Sequence, residues 1–163
     1  MYLLIYAAVQ VDALKQLVAQ LLQRSELMFF NWQHEALAPF VAILRHSGTV
    51  MVREMALQCL KHTLQTNPGS LGSGWIGVLQ ALESAVTDSK LAMVTEGLAT
   101  LRLAISAAAQ CNMLVELLPR LATICTLAAL NPTQGHLCFD AMKCLGQSAD
   151  ALAAAGVGLT DEV

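Results

Sequence analysis

The residues able to do chemistry in this chain are a serine between glycines, five cysteines, four histidines and a scatter of carboxylates. Ser73 lies in "LGSGW". Its G-S-G is reminiscent of the turn that presents a nucleophilic serine, but the flanking spacing differs and no strand signal precedes it. A Gly/Ser turn opening a helix is the better reading. Cys59, Cys111, Cys125, Cys138 and Cys144 are odd in number, show no C-x-x-C spacing and mostly sit within apolar helical patterns. They read as reduced, buried thiols rather than disulfides or zinc ligands. His136 and Cys138 are two apart, so a helix points them away from each other; a Cys–His pair made by tertiary folding stays open. His34, His46, His62 and His136 form no H-E-x-x-H and read as surface or cap histidines. Glu26, Glu35, Glu54, Glu83, Glu96 and Glu116 fall singly on separate segments, so no pair is set up for general acid/base work. "GSLGSG" has no Lys followed by Ser or Thr to cradle phosphate. The expectation is no catalytic residue, no cofactor and no metal in this chain, and no enzymatic activity of its own.

The elements that position these residues are helical throughout. Leu14, Leu17, Val18, Leu21 and Leu22 keep the spacing of one apolar helix stripe. Alternating β-branched runs and N-G or D-G turns are missing. Breakers at "HSGT", "TNPGSLGSG", "TDS", "QCN" and "NPTQG" cut the chain into about seven helices. The predicted spans are 8–24, 33–46, 49–66, 75–86, 89–108, 112–130 and 134–155, within a single module over 1–155 followed by a frayed tail at 156–163. Asp88 or Ser89 is the predicted N-cap of the fifth helix. Pro68 and Pro132 fall where helices have just ended.

Of the 163 residues, 56% are hydrophobic and only 13% charged, about half the usual charged share. Apolar helix faces are therefore abundant, and some call for cover from outside the chain. With Lys+Arg 9 against Asp+Glu 12 and no basic cluster, nucleic acid is not an expected partner. "MYLLIYAAV" has neither a basic flank nor a cleavage motif, which argues against a signal peptide. No uninterrupted apolar run reaches the ~20 residues of a membrane span. The chain reads as soluble or peripheral.

Helix hairpins at a period of about 40 residues predict an all-α, HEAT- or armadillo-like α-solenoid of antiparallel pairs. A closed bundle is the competing architecture; the solenoid is preferred because open ends awaiting further repeats account for the apolar excess. In "TVMVREMALQCLKHTL", Val52, Met55, Ala56, Cys59 and Leu60 form a buried stripe, leaving Arg53, Glu54, Lys61 and His62 on or beside the wet face. Phe29, Phe30 and Trp32 crowd a helix junction, where aromatics usually close a core; a partner-binding patch is the lesser reading. Pro39 lies within the second helical pattern, so that helix begins or kinks there.

The succession of these motifs resembles one region of a known family. "DALKQL" at Asp12–Leu17 leads to "ELMFFNWQ" at Glu26–Gln33, with Phe30, Trp32 and Gln33. Then come Pro39 and Phe40, Val52–Glu54 with Cys59, and Ser73, Gly74 and Trp75. Asp88 and "DAMKCLGQSAD" continue the rhythm less strongly. This order is similar to the helical segment downstream of the catalytic Sec-seven domain in the large, brefeldin-A-inhibited Arf guanine-nucleotide exchange factors of the BIG type. Two departures stand out. Gly72 and Ile76 flank the S-G-W where the family usually has basic residues. The "F-R-L-P-G-E" loop that presents the family's exchange glutamate has no counterpart here.

The resemblance implies a non-catalytic regulatory scaffold, one module of a longer exchange factor. Its implied partners are an Arf-family small GTPase and the rest of that chain, with peripheral association to Golgi, trans-Golgi or endosomal membranes from the cytoplasm. Arg45, Arg53 and Lys61 are the candidate partner contacts, unless an arginine such as Arg53, next to Glu54, joins a salt-bridge ladder between repeats. Phe30, Trp32, Gln33, Pro39, Phe40, Ser73, Gly74 and Trp75 are read as structural motif residues. Two alternatives stand beside this: a HEAT-like scaffold of another assembly, and a lipid carrier whose Leu and Met side chains line a pocket.

Overall fold

A computed structural model describes residues 2–23, 31–131 and 138–154. Seven α-helices occur among them: α1 Tyr2–Leu21, α2 Trp32–His46, α3 Val50–Thr66, α4 Gly74–Val86, α5 Leu91–Gln110, α6 Leu114–Ala129 and α7 Cys138–Ala154, with a short 3-10 turn at Pro68–Ser70. The described residues contain no strand. The expected tail at 156–163, together with Phe29, Phe30, Pro132 and His136, lies outside the described residues.

The helices form two layers. α2 packs on α4 and α4 on α6; α1 packs on α3, α3 on α5 and α5 on α7. Each helix therefore meets the one two places along, and hairpin partners lean across the gap between layers. The core fills that gap with Leu37, Phe40, Leu57, Leu60, Leu82, Met93, Leu101 and Ile105, all under 2% exposed. α5 is long and apolar enough by composition to cross a membrane, but it is packed against α3, α4, α6 and α7.

Several boundaries move from their predicted places for physical reasons. α1 starts at Tyr2 rather than residue 8, because "YLLIYAA" contains no breaker and its uniform apolarity hides the helical period. On α1 the inward stripe is Val11, Leu14 and Val18, continued by Leu22 just past its end, while Leu17 points outward at 58% exposed. α2 does not begin at Pro39 but runs through it from Trp32. Proline removes the bond to the carbonyl four residues back, here Glu35. Pro39 and Glu35 are both exposed, so water can serve that carbonyl. Pro119 inside α6 repeats the arrangement, with exposed Val115 four residues back. The "QCN" breaker becomes a helix stop of the Schellman type. Asn112 takes a left-handed φ of 57°, and the Met113 N–H donates to the Ala108 carbonyl at 2.9 Å.

The N-terminus of α5 corrects the capping expectation. Lys90, not Asp88 or Ser89, is the N-cap. Asp88 instead accepts from the Lys90 N–H at 2.8 Å, which tightens the turn before the helix. Apolar residues remain uncovered on the terminal helices of the second layer: Ile5, Val9 and Leu17 on α1, and Phe139, Met142 and Leu145 on α7.

Candidate functional site

Part of the motif run, Gln33, Ser73 and Gly74, comes together at the crossing of α2 and α4. Gly74 and Gly77 present bare backbone to Leu37. A Cβ at Gly74 would stand 3.0 Å from Leu37 Cδ1, and one at Gly77 would stand 3.1 Å from Leu37 Cβ. Trp75 is buried beside them at 3% exposed, as are Gln33 and Phe40, while Trp32 is half-buried and Pro39 exposed. Asn31, the N-cap of α2, makes no side-chain cap bond. The Ser73 hydroxyl takes that duty from the next helix pair, accepting from the His34 N–H at 3.2 Å. Buried Asn131, beyond α6, does the same at the far end of α4: its Nδ2 donates to the Val86 carbonyl at 2.9 Å. Neither long-range cap carries a local sequence signal.

A row of ion pairs links α3 to α5 and the turn that leads into it, and α5 to α7. Arg53 on α3 holds Asp88 through two contacts, Nε to Oδ2 at 3.1 Å and Nη2 to Oδ1 at 3.3 Å. Its Nη1 also donates to the Ser47 carbonyl at 2.6 Å. Lys61 meets Glu96 on α5 at 2.6 Å, and Gln58 donates to the same carboxylate at 2.8 Å. Arg102 on α5 meets Asp140 on α7 at 2.9 Å. In each rung a cation on the earlier helix meets an anion 35–38 residues later. Arg53, expected on the wet face, keeps only 12% of its side chain exposed. Lys61 is half-buried, and exposed Arg45 donates to Ser84 on α4 at 3.4 Å. The three candidate contact residues thus belong to contacts within the chain. The structure puts Arg45 in the first layer and Arg53 and Lys61 in the second.

Beside this row lies an open groove of about 780 Å³, between α1, α3 and the start of α5. Val11, Met51, Met55 and Cys59 make its apolar floor; Asp12, Lys15, Glu54, Gln58 and His62 stand among the polar lining. Sequence reading missed it, because it arises only where α1 and α3 sit side by side. Burial pushes the Cys59 thiol above its ordinary value, with Lys15 lowering it and Asp12 raising it, so both charges act on the floor. Elsewhere, buried Cys125 and Cys144 share a side-chain hydrogen bond between α6 and α7. That bond and burial push Cys125 up, whereas the same bond and the Arg102 guanidinium hold Cys144 down. Cys59, Cys111, Cys125 and Cys144 are free thiols. Among the described residues no group of three or more His, Cys, Asp or Glu is arranged to hold a metal ion.

Fold and site define an all-α chain of paired helices in two layers, braced by ion pairs and grooved along one layer. Residues 20–103, just over half of the chain, match the family described as Mon2/Sec7/BIG1-like, HDS, and the chain belongs to it. The matched stretch runs from the end of α1 into α5 and so contains the α2–α4 crossing and the first two ion-pair rungs. Brefeldin A-inhibited guanine nucleotide-exchange protein 3 of Arabidopsis thaliana is 33% identical over 78 residues, which are 48% of this chain and 4% of that protein. The ADP-ribosylation factor guanine nucleotide-exchange factor SEC7 of Saccharomyces cerevisiae is 33% identical over 84 residues, 52% of this chain and 4% of its own length. The factor sec72 of Schizosaccharomyces pombe is 32% identical over 98 residues, 58% of this chain and 5% of its own. The chain therefore spans only 4–5% of the length of these relatives. No solved structure matches.

Proposed function

We propose that this chain is a non-catalytic regulatory module of a large Arf guanine-nucleotide exchange factor, from the helical region downstream of the catalytic Sec-seven domain. The observation that carries the reading is the family match over residues 20–103, a stretch that includes the α2–α4 crossing where Gly74 and Gly77 approach Leu37. The layered packing supports a HEAT- or armadillo-like solenoid, an architecture suited to presenting extended faces to partners. Its partners in this reading are an activated Arf-family GTPase and other parts of the exchange-factor chain. Its place is the cytoplasmic side of Golgi, trans-Golgi or endosomal membranes, peripherally bound.

Two measurements test this. In a pull-down, GTP-loaded Arf-type GTPase is retained by the immobilised chain and GDP-loaded GTPase is not. In a fluorescent-nucleotide release assay, the chain alone leaves the basal GDP release rate of the GTPase unchanged. Equal failure to retain either nucleotide form, with a folded chain, refutes the partner assignment, and accelerated release refutes the non-catalytic role.

A further inference from the structure

We infer that the groove between α1 and α3 takes an amphipathic helix whose apolar row is flanked by basic residues. The inference rests on the reading of this chain as a docking module, though not on the identity of the GTPase. Its first support is shape. On α3 the groove extends from Met51 to Thr66, which at 1.5 Å per residue is about 22 Å, the length of a four-turn helix. Met51, Glu54, Met55, Gln58, His62 and Gln65 recur at helical three- and four-residue steps, so α3 offers one continuous face. Exposed methionine on such a face adapts to differing apolar partners. The described residues offer no sheet edge to extend, whereas a helix brings its backbone bonds already satisfied.

The second support is charge. Arg53–Asp88, Lys61–Glu96 and Arg102–Asp140 brace α3, α5 and α7, but among the described residues the step from α1 to α3 has no such rung. Lys15 and Glu54 both line the groove and are half-buried, yet among the described residues neither makes an ion pair or a side-chain hydrogen bond. With Lys61 and Glu96 committed to each other and His62 counted as neutral, two carboxylates, Glu54 and Asp12, the latter accepting from neutral Gln16 at 3.0 Å, stand against the single ammonium of Lys15. The uncommitted field is therefore acidic, which favours a cationic occupant over an anionic lipid surface.

The probe is a fluorescein-labelled, designed 15-residue helix with leucines on one face and flanking lysines, compared by anisotropy with a twin carrying glutamates in place of the lysines. The lysine peptide is expected to bind the unmodified chain at least about tenfold more tightly than its twin. Glu54→Lys is expected to weaken the lysine peptide about tenfold and to strengthen the glutamate peptide. Met51→Gln, at a site 54% exposed and so tolerant of change, is expected to weaken both severalfold. Failure of both peptides to bind, or binding that Glu54→Lys leaves unchanged while far-UV circular dichroism shows a folded chain, overturns the inference. The GTP-dependent GTPase pull-down runs on the same proteins. Its failure with peptide binding intact strikes the proposed partner alone, and its success without peptide binding strikes the groove alone.

Discussion

Gly97 and Gly146 both lie inside helices, and the structure assigns them opposite responses to alanine. A Cβ on Gly97 of α5 would stand 3.0 Å from Ala85 Cβ, 3.3 Å from the Ala85 carbonyl carbon and 3.3 Å from the Val86 nitrogen. The last two atoms are backbone of α4's final turn and cannot swing aside as a side chain can. A Cβ on Gly146 of α7 meets nothing within 4 Å. Replacing an interior helical glycine by alanine gains about 1 kcal/mol of helix propensity. Overpacking a filled core costs about 1–3 kcal/mol, and a contact against backbone belongs near the upper end. Gly97→Ala is therefore expected to lose about 1–2 kcal/mol net, and Gly146→Ala to gain about 0.5–1 kcal/mol. Their separation of about 2–3 kcal/mol corresponds to about 5–10 °C in Tm for a chain of this size. Urea titration followed at 222 nm gives both free energies. Adding Ala85→Gly to Gly97→Ala removes one of the three contacts, so the pair should couple favourably by about 1 kcal/mol without full recovery. If Gly97→Ala stabilises the chain as much as Gly146→Ala does, the close approach of α5 to α4 is refuted.

Three further outcomes follow from the geometry. Trp75→Ala is expected to cost about 3–5 kcal/mol, since the residue is 3% exposed within the core; a urea-derived loss below about 1 kcal/mol would remove Trp75 from the core. Asp88→Asn strips the charge from a pair whose side chains are 12% and 10% exposed and should cost about 2–4 kcal/mol. Asp88→Ala, which also loses the acceptor for the Lys90 N–H, should cost more in the same titration, and equal losses would show that the turn bond is idle. Cys59 has its folded pKa raised above the ordinary 9.0 by burial. That contribution is fully present below about pH 9 and is lost as pH rises through the folded value, because the unfolded thiol ionises first. Unfolding free energies between pH 8 and 10.5 should therefore fall less steeply for Cys59→Ala than for the unmodified chain; parallel slopes would contradict the burial.

Local signals foretold much of the helical plan. "QCN" marked the end of α5 because asparagine tolerates the left-handed turn that stops a helix, and "LGSGW" marked the start of α4. What escaped the sequence is what distant segments decide together. Arg53 read either as a wet-face residue or as a rung of a ladder between repeats, and nothing within α3 announces which aspartate, thirty-five residues on, it meets. Pro39 looked like a break, because whether a freed carbonyl meets water depends on which side of α2 faces out. The groove was invisible for a related reason. Lys15 and Glu54 are ordinary helix-surface residues in sequence, and only the packing of α1 beside α3 puts both along one cleft.

The borrowed caps have a consequence for the order in which the stack comes apart. Ser73 seals the start of α2 and Asn131 the end of α4, and in each case the sealing residue lies about forty positions downstream of the group it serves. Peeling away a downstream hairpin strips an upstream helix of a partner for a terminal backbone group. Peeling away an upstream hairpin merely releases a small side chain to solvent. Unravelling under force or denaturant is thus biased to invade from the carboxyl-terminal side, each departure loosening the hairpin before it, like a zip with one slider.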